Sequence, residues 1–104
     1  MYVILTSKPG QFRTELVEGL RRVESADYLF FGRCKARFVI AEVVSDCRVT
    51  VIDEVPPETV NHVPIKFFEK FASVERARKA MRELVHEGDA DVVLVPTSIP
   101  LVSS

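Results

Sequence analysis

The run Tyr2-Val3-Ile4-Leu5-Thr6 is apolar and ends at Ser7-Lys8-Pro9-Gly10, where proline fixes φ and glycine accepts a positive one. It predicts a first strand and a turn. Beyond the turn, Phe12, Leu16, Val17, Leu20 and Val23 recur at helical spacing and predict a short helix over 11–23. Gly19 weakens that helix, since glycine in a helix interior costs about 1 kcal/mol relative to alanine.

From Asp27 to Val55 the pattern becomes strand-like around two candidate two-residue turns, Gly32-Arg33 and Ser45-Asp46. These turns set a three-stranded antiparallel meander over 27–55. The register pairs Phe30 with Lys35 and Tyr28 with Arg37 in the first hairpin, and Ile40 with Val51 in the second. Side chains alternate with period two, so it sorts the meander into two faces. Leu29, Phe31, Ala36, Phe38, Ile40, Val49 and Val51 form the expected core face. Tyr28, Phe30, Lys35, Arg37, Val39 and Ile52, with Glu54, share the other, which mixes aromatic and basic groups. A slip of one residue would exchange the faces.

Val55-Pro56-Pro57 opens a loop that continues to Pro64. Ile65–Phe71 alternates as a strand with Ile65, Phe67 and Phe71 on one side, a short helix being the alternative. Ser73 is placed to cap a helix, with Glu75 in its first turn and Val74, Ala77, Met81, Leu84 and Val85 on its apolar face. Gly88 supplies its stop, and Asp91–Val95 reads as a strand buried on both faces before an irregular tail from about 97, broken by Pro96 and Pro100. The sum is a single α+β domain over 1–104, mostly antiparallel: the meander 27–55 plus a strand–helix–strand unit 65–96. Parallel strands in that unit would need a right-handed crossover. A ferredoxin-like arrangement is the first expectation and a small barrel crossed by one helix the second.

Composition adds limits rather than a function. The chain has 104 residues, 47% hydrophobic and 28% charged, an ordinary globular balance for one domain that needs no disulfide or metal to fold. Its net charge is −1, which argues against a histone-like or polybasic protein. The N-terminal run lacks the basic leader of a signal peptide, and no apolar stretch approaches the ~20 residues of a membrane span. The expectation is a cytoplasmic protein without membrane contact, in which Cys34 and Cys47 are free thiols filling apolar space.

Chemistry is sparse. Cys34, Cys47, His62 and His86 show no CxxC, HxxxH or HExxH spacing, and the predicted meander holds the thiols roughly 33 Å apart, too far to share a bridge or metal. No cofactor is expected, because Gly10, Gly19, Gly32 and Gly88 make no glycine-rich phosphate loop. Arg33 and Lys35 flank Cys34 but project from the other face of a strand, so they do little to activate it. His62 lies in the 56–64 loop and His86 ends the helix, with no nucleophile and orienting group predicted beside either, so no catalytic residue is assigned. The aromatic–basic face is the one constellation above background. It predicts a small non-catalytic accessory module that binds another protein, or a second copy, through Tyr28, Phe30, Lys35, Arg37, Val39 and Ile52. One alternative is single-stranded nucleic acid on the same face, although Lys35–Ala41 lacks the glycines and spaced aromatics of an RNA-recognition strand. The other is a small ligand-binding or enzyme domain centred on His62 and its loop.

Overall fold

The computed structural model describes residues 1–85 and 92–97. In chain order these form β1 (Tyr2–Ser7), β2 (Phe12–Glu15), β3 (Leu20–Phe30), β4 (Arg33–Val43), β5 (Arg48–Asp53), β6 (Val60–Pro64), α1 (Val74–Leu84) and β7 (Val92–Thr97). The strands make two antiparallel sheets, ordered β1-β4-β3-β7 and β2-β5-β6. The fold is a small, sheet-rich α+β arrangement in which no barrel closes among the described residues. No helix among the described residues is long and apolar enough to cross a membrane.

The first sheet is covered on both faces. On one, Ala26, Ala36, Phe38 and Ile40 pack against Ala77, Met81 and Val85 at α1. On the other, Val3, Leu5 and Ala41 pack against Val49 of the second sheet and Ile65. Alternation along β1 and β4 divides their side chains between these two cores. Fully burying a large aliphatic side chain is worth about 1.5–3 kcal/mol, so β4, which feeds both cores, is the strand the fold can least spare.

The helix forms as its cap predicts: the Ser73 hydroxyl accepts from the Arg76 N–H at 3.2 Å, and Glu75 sits in the first turn. Ala77, Met81 and Val85 are buried as expected, but Leu84 is 62% exposed. Arg78 ties the helix to β3 through a forked contact, its Nε 3.0 and 2.9 Å from the two carboxylate oxygens of Glu24 and its Nη2 2.6 Å from one of them. Those charge-assisted bonds hold the Glu24 carboxyl below its ordinary pKa.

Several expectations are corrected. The first hairpin forms, but β4 and β5 lie in different sheets, so there is no three-stranded meander. The chain between them crosses layers: the Val44 and Ser45 N–H groups donate to the Gly19 carbonyl, and Ile65 N–H donates to that of Cys47. Residues 11–23 are not helical; they contain β2, a turn and the start of β3. Gly19 makes that turn at φ 101°, where a Cβ would lie 2.9 Å from Ser45 Oγ and 3.0 Å from Cys47 Cβ. The expected strand 65–71 is replaced by a single 3-10 turn at Ile65–Phe67, closer to the short-helix alternative. Lys70 Nζ donates to the carbonyls of Ile65 and Phe68 there, and Phe67 is 71% exposed. The loop ends in β6, an edge strand, where Pro64 is tolerated. β7 pairs antiparallel with β3 at the sheet edge, with Pro96 opposite Ala26, so neither the parallel crossover nor the ferredoxin-like arrangement forms among the described elements. Nor is β7 buried on both faces, since Val95 is 38% exposed. His86, Gly88 and the tail beyond 97 fall outside the described residues.

Candidate functional site

The β3–β4 hairpin turns at Phe31 and Gly32, whose φ values of 52° and 76° give two successive left-handed residues. Positive φ at both central positions is what a two-residue hairpin turn needs to match strand twist, and glycine meets it at the second position without steric cost. The turn therefore lies one residue earlier than Gly32-Arg33. Phe30 pairs with Arg33 and Leu29 with Cys34; the register then shifts, so that Tyr28 pairs with Ala36 and Asp27 with Arg37. Lys35 is the extra residue of a β-bulge.

That geometry redistributes the expected face. Paired residues share a side of the sheet, which sets Tyr28 and Ala36, and beyond the bulge Phe30 and Arg33, on the helix-covered side. Tyr28 and Lys35 line one cleft there. Arg37 lies on the opposite side, with Nε 3.3 Å from Asp27 Oδ1. Val39 packs into the core between the sheets. Ile52 belongs to β5, where alternation from buried Val49 turns it away from the first sheet. Tyr28, Phe30 and Lys35 thus come together, whereas Arg37, Val39 and Ile52 do not join them.

The residue the sequence reading misplaced is Phe31. Assigned to the core, it is 66% exposed at the hairpin tip, where its ring meets that of Phe30 edge-on, centroids 4.5 Å apart at 89°. Leu29 and Val51, also assigned to the core, are only half-buried. The signal for Phe31 was the glycine after it, read as the first turn residue instead of the second. From Tyr28 to Arg37 the chain carries Arg33, Lys35 and Arg37 and no acidic side chain; Arg37 is engaged with Asp27, which leaves Arg33 and Lys35 as the cations nearest the tip in sequence.

The remaining candidates are isolated. His62 is exposed on β6 opposite Thr50, its Nδ1 3.4 Å from the Thr50 hydroxyl. Cys34 and Cys47 are free and half-buried; burial, reinforced by Asp46, pushes the Cys47 thiol pKa up and lowers its reactivity. Among the described residues no three His, Cys, Asp or Glu side chains gather as a metal site. Comparison with protein-family models, with curated proteins and with solved structures finds no match to this chain.

Proposed function

We propose that this chain is a non-catalytic cytoplasmic binding module that docks onto an acidic surface of a partner protein through the end of the β3–β4 hairpin. One observation carries this reading: Phe31 is an aromatic residue held in the left-handed region and two-thirds exposed. A bulky side chain there costs about 1–2 kcal/mol, which asparagine or glycine would avoid, and its exposed ring recovers little by burial. Strain retained at an exposed position points to a contact made outside the chain. Phe30 and Phe31 supply the apolar anchor, and Arg33 and Lys35 favour carboxylates around it.

The test is fluorescence anisotropy with three labelled probes: a peptide carrying tryptophan and leucine among glutamates, the same peptide with lysines for glutamates, and a single-stranded oligothymidylate. The acidic peptide is expected to bind, the basic one not, and F30A/F31N to weaken binding at least tenfold. Preferential binding of the oligothymidylate, with affinity falling linearly in log salt, would replace this reading with the nucleic-acid one. Concentration-dependent self-association in light scattering, abolished by F30A/F31N, would replace it with a second copy as partner. Binding indifferent to the double variant would remove the hairpin end from consideration.

A further inference from the structure

Toward the tip end of the same hairpin, β1, β3, β4 and the C-terminal end of α1 line an open cleft of about 440 Å³. Its size falls in the range of small-molecule sites, typically ~300–1,000 Å³. The lining is divided by chemistry. Lys8 and Gln11, from the turn between β1 and β2, and Lys35, the bulge residue, supply polar groups, the pairing of Ser7 with Arg37 bringing Lys8 to the Lys35 end of β4, while Phe38, Leu84 and Val85 are apolar. Neither lysine has a side-chain hydrogen bond or ion pair among the described residues, although Arg13, Arg21, Arg37 and Arg78 are all engaged with carboxylates. Leu84 lines the cleft yet is 62% exposed. The site therefore combines two uncompensated cations with apolar surface that nothing in the described residues covers.

We infer that this cleft binds a small amphipathic carboxylate, its anionic head between Lys8 and Lys35 and its apolar tail against Phe38, Leu84 and Val85. The carbonyl end of α1 contributes about half a negative charge, but two full positive charges outweigh it and fix which end of the ligand faces which wall. Backbone alone makes the arrangement: the register shift between Tyr28 and Leu29 brings Lys35 to the Tyr28 side of the sheet, where a regular strand would have aimed it to the other. This ligand site goes beyond the docking role and shares only Lys35 with it, since neither Phe30, Phe31 nor Arg33 lines the cleft.

Amide chemical-shift titrations of the full chain with octanoate, 1-octanol and sulfate test the inference. Octanoate is expected to bind saturably, shifting Thr6, Lys8, Lys35, Ala36 and Val85, with octanol and sulfate each at least tenfold weaker. The K8Q/K35Q double variant should lose tenfold or more toward octanoate and leave octanol unchanged, and L84E should also weaken octanoate. All three side chains are exposed, so circular dichroism should find the variants folded. Equal affinity for octanol would reduce the site to an apolar surface, equal affinity for sulfate to a charge patch, and no saturable shift to neither; each overturns the inference. F31N should leave octanoate binding intact, so failure of the hairpin docking reading is read separately from failure of this one.

Discussion

Replacing Phe31 with asparagine separates what the hairpin needs in order to fold from what its tip is for. Asparagine tolerates the left-handed region, so F31N recovers much of the roughly 1–2 kcal/mol that an L-residue with a bulky side chain forfeits there. Against this stands the edge-on contact with Phe30, a type worth ~0.5–1.5 kcal/mol. With Phe31 66% and Phe30 36% exposed, the contact belongs at the low end of that range. The net expectation is stabilisation by about 0.5 kcal/mol, a rise in Tm of roughly 2–4 °C for a domain of this size. Thermal melts by circular dichroism and urea titrations with an unchanged slope would measure it, alongside the anisotropy titration with the acidic peptide. A more stable protein that binds tenfold more weakly is the outcome expected. Destabilisation by more than about 1 kcal/mol would show that the ring is kept for the hairpin itself and would refute strain held for an outside contact.

Phe38→Ala should cost about 3–5 kcal/mol in urea unfolding, because Phe38 is 5% exposed beneath α1, while Arg37→Ala should cost less than about 1 kcal/mol, since the Arg37 side chain is itself exposed and makes one carboxylate contact, to half-buried Asp27. Gly19→Ala should lower Tm clearly, since its added Cβ meets Ser45 and Cys47 at 2.9–3.0 Å in a backbone conformation alanine avoids; Gly32→Ala has no such neighbour and should be milder. For Glu24 the folded pKa is depressed below the unfolded value, so the contribution of its contact with Arg78 is complete above the unfolded value of about 4.3 and is lost as pH falls through the folded one. The Tm difference between the parent and Glu24→Gln should therefore be widest above about pH 5 and close on acidification; a gap independent of pH would contradict it.

The helix was legible because three signals agree over Ser73–Val85: a hydroxyl cap, an acidic first turn and an apolar stripe. Phe38 and Ile40 were legible as core because burial alternates from Ala36 to Ile40. The hairpin was found but displaced, since Gly32 suits either central position of a two-residue turn and only φ at Phe31 decides between them. The bulge left no trace, as Lys35 has no glycine or proline beside it. Phe12, Leu16, Val17 and Leu20 fit a helix by spacing, but they are divided between β2, the turn and β3, and tertiary contacts at Gly19 settle the choice. Pro56, Pro57 and Pro64 disguised β6, since proline is excluded from central strands but not from an edge. That Tyr28 and Phe30 share a side of the sheet was legible because they lie two residues apart on one strand, which holds them to one side in any regular pairing.

The bulge at Lys35 acts as a phase shifter in the hairpin. Below it, the even-numbered side chains of β4 face the helix; above it, pairing with Phe30 gives that side to Arg33. The bulge therefore adds one side chain to the helix side of the strand without changing the pairing on either side of it. Deleting Lys35 would restore regular alternation with Arg33 still opposite Phe30 and Ala36 still opposite Tyr28, removing only the cation that the bulge adds beside Tyr28 and leaving Phe38 and Ile40 in place. In a chain whose buried positions are crowded from both sides, such a joint lets the exposed end be remodelled by length variation without renegotiating the interior.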